Sequence, residues 1–132
     1  MAKLTRKQRE GLDFEIGFYE EVLKKKPDFL EALQALGNAY TTRGDYQKGL
    51  EIDMKFVSLW PADPIGHYNL ACSYACLKDI EAAFKALHRA IDLGYSDLYH
   101  MAKDPDLENL RKDKRFLHLI VELRKEKARR RL

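Results

Sequence analysis

Apolar residues recur along the start of this chain with the spacing of α-helices. In residues 5–27 they fall three and four positions apart in two rows. The first row is Leu12, Ile16, Tyr19 and Leu23, and the second is Phe14, Phe18 and Val22. This spacing gives one helix a wide apolar stripe, which Pro27 then ends. We predict a helix that caps the N-terminal end of the fold.

The middle of the chain is a 34-residue pattern that occurs twice. The corresponding residues are Leu36, Gly37, Tyr40 and Asp45 in the first copy, and Leu70, Ala71, Tyr74 and Asp79 in the second. A fixed period of this size predicts stacked helix pairs, because one pair cannot bury its apolar face alone. We therefore predict repeats over residues 28–62 and 63–96.

Aspartates precede each predicted helix of the two repeats. Asp28, Asp45, Asp63 and Asp79 stand at positions where a short acceptor side chain caps the free N–H groups of a first turn. Gly44 follows a predicted helix, where a left-handed residue is needed.

The pattern changes after residue 96. Residues 97–123 predict a C-terminal cap of short helices, and residues 124–132 predict a basic tail without an apolar face, which we expect to fray. The whole chain, residues 1–132, is predicted to be a single helical domain.

The repeat resembles the tetratricopeptide repeat (TPR), a helix–turn–helix of 34 residues. The matching signature residues are Leu36, Gly37, Tyr40 and Pro61 in the first repeat, and Leu70, Tyr74, Ala83 and Ala90 in the second. The departures include Asp53 at an aromatic position, Phe56 at a small one, and Tyr95 where a proline is usual. The resemblance implies an all-α, TPR-like right-handed α-solenoid of antiparallel helix pairs.

The segment from Asp104 to Phe116 is similar to an ending found on many bacterial TPR proteins. It has the order Asp104-Pro105-Asp106-Leu107 and later Arg115-Phe116, with Lys114 in place of the usual proline.

The TPR resemblance implies a non-enzymatic adaptor or scaffold that binds a peptide or helix on its concave face. The residues it places there are Gln34, Asn38, Thr41, Tyr68, Asn69, Cys72 and Cys76. Asn38 and Asn69 match positions at which chaperone-binding relatives hold a C-terminal carboxylate. Gln34 replaces the lysine of that clamp, and Lys103 is a candidate substitute. The alternatives are a general protein-binding groove, the carboxylate clamp, or ordinary solvated positions.

Charge is unevenly distributed. Residues 27–110 contain 7 Lys/Arg against 13 Asp/Glu, whereas residues 111–132 contain 10 against 3. The basic end supports a rival hypothesis, an accessory protein that binds nucleic acid or an anionic surface by charge. Interleaved aromatic residues are absent from this end, so it offers no base-stacking platform.

Cys72 and Cys76 lie four residues apart and are expected to be reduced, as in the cytoplasm. Together with His67 or His100 they are candidate metal ligands, but zinc sites usually need two close ligand pairs. We therefore predict no metal and no cofactor. No catalytic or phosphate-binding motif occurs, which argues against an enzyme.

Two further expectations concern location and assembly. No apolar run is long enough to cross a membrane, and the basic start lacks the apolar core of a secretory signal, so we predict a cytoplasmic protein. The second apolar row, Phe14, Phe18 and Val22, could contact a twin chain, which makes a homodimeric structural subunit a further alternative.

Overall fold

The computed structural model describes residues 3–131; Met1, Ala2 and Leu132, at the two ends of the predicted domain, lie outside the described residues. Within that range the chain is helical and has no β-strand. The helices are α1 (Arg6–Lys25), α2 (Leu30–Arg43), α3 (Tyr46–Leu59), α4 (Pro64–Cys76), α5 (Ile80–Asp92), α6 (Leu98–Lys103), α7 (Glu108–Arg111) and α8 (Lys114–Arg130), with a 3-10 turn at Pro105–Leu107 between α6 and α7.

Helices α2 and α3 form the first antiparallel pair, and α4 and α5 form the second, with α3 packed against α4. Helix α1 packs on α2, where the Tyr40 hydroxyl donates a 3.0 Å hydrogen bond to Glu20 and Arg43 pairs with Asp13 at 2.7 Å. This is the arrangement that the 34-residue period predicts.

Two of the four predicted aspartate caps are present. The Asp63 carboxylate accepts from the N–H of Ile65 at 2.9 Å, and the Asp79 carboxylate accepts from Ala82 at 3.2 Å. Each satisfies a first-turn N–H that has no partner within its own helix.

The other two aspartate predictions were wrong. Helix α2 begins after Phe29 rather than Asp28, without a side-chain cap. Asp45 does precede α3, but its carboxylate pairs with the Arg43 guanidinium at 2.6 Å instead of capping the helix. A charged guanidinium makes a stronger hydrogen bond than a backbone amide, and the Asp45 carboxylate is oriented toward it.

The core divides into two apolar clusters. The first lies between α1, α2 and α3, and its members include Ile16, Leu23, Leu33, Leu36, Tyr40 and Phe56. The second lies between α4, α5 and the C-terminal cap, and its members include Tyr68, Leu87, Met101, Leu107, Leu110 and Phe116. The cap therefore covers the apolar face that a third repeat would otherwise cover.

Polar contacts also hold the cap to the second repeat. The Asn109 side chain donates to the Ala75 carbonyl at 2.9 Å, and Arg115 pairs with Glu81 of α5 at 2.9 Å. Arg115 also binds Asp113 and lowers the pKa of that carboxyl to about 2. The Arg115 guanidinium lies 4.5 Å from the centre of the Phe84 ring.

The two ends of the chain differ from their predicted packing. Phe14 and Phe18 are 78% and 55% exposed, so these two residues of the second apolar row lie outside the core, whereas Val22 packs against the first cluster. The basic segment, expected to fray, continues α8 as a helix to Arg130. No helix in the described part of the chain is both long and apolar enough to cross a membrane.

Candidate functional site

A cavity of about 500 Å³ lies on the side of the molecule formed by the first helices of the two repeats; we call it the concave cavity. Six of the eight residues named for a binding groove line it: Gln34, Asn38, Thr41, Tyr68, Asn69 and Cys72. The 34-residue register explains this, because residues 34, 38 and 41 share one face of α2, and residues 68 and 72 share the matching face of α4.

Seven further residues line the concave cavity, and sequence reasoning did not assign them to a groove. They are Asp53, Ile65, Tyr95, Asp97, His100, Asp104 and Asp106. Five of the seven belong to the stretch from Tyr95 to Asp106, which departs from the repeat pattern. The sequence feature that could have indicated these residues is the D-P-D ending, which places the carboxylates of Asp104 and Asp106 within three residues.

The other two, Cys76 and Lys103, are not among the residues that line the concave cavity. The Lys103 ammonium group lies 2.5 Å from the Tyr99 hydroxyl and 4.1 Å from the centre of that ring. Tyr99 is 72% exposed, so this contact is on the outer surface. The cation expected to substitute for the clamp lysine is therefore directed elsewhere.

Asp104 is buried and lines the concave cavity. Its Oδ2 accepts a hydrogen bond from the Tyr68 hydroxyl at 2.7 Å and lies 3.2 Å from Nε2 of His100. Its Oδ1 accepts from the backbone N–H of Asp106 at 3.0 Å and caps the 3-10 turn. Burial, the nearby Cys72 thiol and the bond to Asp104 together raise the pKa of Tyr68 well above its usual range. The Asp104 side chain therefore fixes the cap against α4.

Two tyrosine rings stack beside Asp104. The centroids of Tyr68 and Tyr95 are 4.2 Å apart, and the rings are within 4° of parallel. Burial raises the pKa of Tyr95 to about 12. Tyr95 stands where the TPR pattern has proline, so this departure from the pattern supplies an aromatic wall of the cavity.

A second buried carboxyl, that of Asp53, also lines the concave cavity. Asp53 is 3% exposed, and its Oδ2 accepts from the Ser73 hydroxyl at 2.5 Å. Burial raises the pKa of Asp53 to about 7, and the charge of Asp106 acts in the same direction, while the Ser73 bond opposes both. The Asp53 carboxyl therefore keeps its proton to a higher pH than an ordinary aspartate.

Asn69 contributes a polar group that the fold leaves unsatisfied. Its side-chain nitrogen is shielded from solvent and has no hydrogen-bond partner among residues 3–131. Buried amide groups normally have a partner, since an unmade hydrogen bond costs about 1–3 kcal/mol. Asn69 is one of the residues that line the concave cavity, where a bound molecule can supply an acceptor.

The cysteines lie close to acidic groups rather than to a set of histidines. Ligand atoms of Cys72, Asp104 and Asp106 are all within 4.8 Å of one another, and the Cys76 sulfur lies 3.8 Å from Asp106. Burial and these carboxylates raise the pKa of Cys76 to about 12 and that of Cys72 well above its ordinary value. Zinc sites use thiolates and usually four donors, so this three-atom cluster of protonated thiol and hydrogen-bonded carboxylates is a poor match.

The two histidines considered as additional metal ligands contact different parts of the chain. Nε2 of His67 lies 2.8 Å from the Pro61 carbonyl, whereas His100 contacts Asp104.

The comparisons with known proteins show what kind of fold carries this cavity. No family model matches the chain. A chain of MamA from Desulfovibrio magneticus RS-1, comprising residues from 41 to the end, matches with a TM-score of 0.69 and 23% identity, over 89% of this chain and 68% of that one. A crystal structure of MamA matches with a TM-score of 0.65 and 25% identity, over 93% and 71%. The predicted fold class is confirmed: this is an all-α, TPR-like right-handed solenoid, a fold used for protein interaction.

A curated plant protein is similar in sequence. This chloroplastic protein from Arabidopsis thaliana is 34% identical over 107 residues, which is 76% of this chain and 30% of the plant protein. The chain thus spans about a third of the length of this relative.

Proposed function

We propose that this protein is a non-enzymatic interaction scaffold that holds a segment of a partner protein in its concave cavity. The observation that carries the proposal is the position of the cavity. It lies between the first helices of two consecutive repeats, and polar side chains from both of them line it. Side chains fixed on packed helices hold their hydrogen-bonding groups in constant positions, which reduces the entropy lost on binding.

The size of the cavity favours an extended segment over a long helix. A helix with its side chains is about 10–12 Å across and rises 5.4 Å per turn, so one turn fills about 500 Å³. The cavity has about that volume in total. An extended peptide of a few residues, hydrogen-bonded through its main chain, uses the available amide groups more fully.

The distribution of charge disfavours the carboxylate clamp among the alternatives drawn from the sequence. Four aspartates line the cavity, and no lysine or arginine of the described chain does. A C-terminal carboxylate would therefore be repelled where the clamp requires cations. The cytoplasmic location stays a prediction, since the plant relative is named as a chloroplastic protein.

Photo-crosslinking tests the scaffold proposal. A photoreactive amino acid at Gln34, in the cavity, is compared with one at exposed Glu51 on α3, and the crosslinked proteins are identified from the host cell. We expect partners that appear only from position 34 and that are lost when Asn38→Ala and Asn69→Ala are combined, with the helical circular dichroism unchanged. The same partners from both positions, or capture that the double variant leaves intact, would overturn the proposal.

A further inference from the structure

The concave cavity has charge of one sign. Its four carboxyl groups belong to Asp53, Asp97, Asp104 and Asp106. Among the described residues, the cavity carboxyls make one ion-pair contact, that of Asp104 with His100. The ion pairs of the other acidic side chains are with lysine or arginine. A cleft lined by one sign of charge concentrates ligands of the opposite charge.

The charge comes mainly from one segment. Asp97, Asp104 and Asp106 all belong to the stretch that leads into the C-terminal cap, while Gln34 and Asn38 of α2 supply uncharged amides. Asp104 is buried, whereas Asp97 is exposed and Asp106 is only partly buried. These last two carboxylates are the more accessible ones, although Asp97 accepts from the His100 N–H and Asp106 accepts from the Cys76 thiol.

An aromatic surface lies next to these carboxylates. The stacked Tyr68 and Tyr95 rings line the same cavity, and because Tyr68 is buried, Tyr95 is the more accessible of the two. An arginine or lysine side chain has an apolar stem as well as a cationic end, and a guanidinium also stacks on aromatic faces. Carboxylates beside an aromatic wall therefore match both parts of such a side chain.

The unsatisfied nitrogen of Asn69 is an independent sign of a missing ligand. It is shielded from solvent and has no partner in the described chain. A main-chain carbonyl of an extended peptide is an acceptor of the right kind, and the neighbouring Asn38 amide offers a second contact along the same wall.

We propose that the concave cavity selects an extended peptide segment carrying an arginine or lysine, whose cationic end lies between Asp97 and Asp106. The main chain of that segment lies along the amides of α2 and α4. This inference rests on the proposed scaffold function and specifies the chemistry of the partner. The net charge of the whole protein is +3, so attraction of a basic peptide comes from the cavity and not from overall charge.

Peptide selection from a random library tests this inference. A phage-displayed library of random dodecamers is selected against the wild-type protein, with counter-selection against the Asn38→Ala, Asn69→Ala variant. We expect the recovered peptides to share an arginine or lysine at one fixed position. Recovery of groove-dependent peptides without a basic residue would overturn the inference and leave the scaffold function standing. Failure to recover any groove-dependent peptide would overturn both.

The best recovered peptide is then synthesised with a fluorescent label and measured by anisotropy. Asp97→Asn with Asp106→Asn should weaken its binding at least tenfold, and replacement of its arginine by neutral, isosteric citrulline (or of its lysine by acetyl-lysine) should have a similar effect. Asp97 caps α6 by accepting from the His100 N–H at 3.0 Å, and asparagine caps a helix about as well as aspartate, so the fold is retained. The matched control, Glu15→Gln with Glu51→Gln, removes the same charge from exposed positions outside the cavity and should change binding less than twofold. Equal losses in both double variants would refute a cavity-specific contact.

Discussion

The two repeats are built on one pattern but fill their interiors with different chemistry. Asp53 in α3 and Leu87 in α5 are 34 positions apart, and both are buried, at 3% and 0% exposure. The aspartate binds Ser73 across the interface between the repeats. The leucine packs in an apolar cluster with the C-terminal cap.

Space around the two side chains differs accordingly. Gly37 faces Asp53, and a Cβ atom on Gly37 would lie 2.6 Å from the Asp53 Oδ1. The equivalent residue of the second repeat is Ala71, which is fully buried. The same backbone arrangement thus accommodates either a carboxyl against a glycine or a leucine near an alanine.

The comparison separates a buried position that serves packing from one that lies beside the proposed binding site. Around Leu87 the second repeat and its cap form an apolar cluster, whereas at the equivalent position the first repeat places a titratable group beside the concave cavity. A buried carboxyl costs stability when it is ionised, so stability alone does not favour an aspartate at position 53.

The largest expected effect comes from placing an aspartate at the buried leucine position of the second repeat. Leu87→Asp should lower the free energy of unfolding by about 4 kcal/mol at pH 8, because it removes buried apolar volume and leaves a carboxylate without the serine partner of Asp53. Urea unfolding followed by circular dichroism measures the loss. The reciprocal change, Asp53→Leu, should cost less than half as much; equal losses would show that the two interiors do not differ.

The next effect is a pH dependence that is specific to the first repeat. The folded pKa of Asp53, about 7, exceeds the ordinary value of 3.8, so the folded state holds the proton more tightly than the unfolded state. Its contribution is fully present below pH 3.8 and is lost as the pH rises through 7. Wild-type protein should therefore lose about 2 kcal/mol between pH 5 and pH 8 relative to Asp53→Asn, which cannot ionise.

Urea titrations of both proteins at a series of pH values measure this difference. The Asn38→Ala protein, which keeps Asp53, serves as the control and should follow the wild-type curve. Parallel curves for wild type and Asp53→Asn would contradict a raised pKa at this position.

The smallest effect concerns the glycine that faces Asp53. Gly37→Ala should destabilise the protein by about 1.5 kcal/mol, because the new methyl group meets a fixed carboxylate. Gly17→Ala is the control: a Cβ on Gly17 meets nothing within 4 Å, and alanine favours a helix by about 0.5–1 kcal/mol. Combining Gly37→Ala with Asp53→Ala should cost less than the sum of the single changes, as expected for residues in contact. Additive losses would show that the two positions are independent.

Much of the fold and about half of the concave cavity followed from the order of residues. The 34-residue period depends on local spacing, so it identified the helix pairs and the cavity faces of α2 and α4, including Gln34, Asn38 and Asn69. Residues at equal spacing on equivalent helices must line one surface once the pairs stack.

The rest of the cavity depends on contacts between segments that are far apart in sequence. Asp104 meets Tyr68 across 36 positions, and Ser73 meets Asp53 across 20. The folded structure was also needed to decide which aspartates cap a helix, since Asp45 binds the guanidinium of Arg43 and not a backbone N–H of α3.

The sequence by itself determined the repeat, the helix order and the faces of α2 and α4, because these depend on periodicity along the chain. Only the tertiary structure decided the acidic character of the concave cavity. Its carboxylates come mainly from a capping segment outside the repeat period, and the direction in which that segment folds back depends on which buried groups it satisfies in α4.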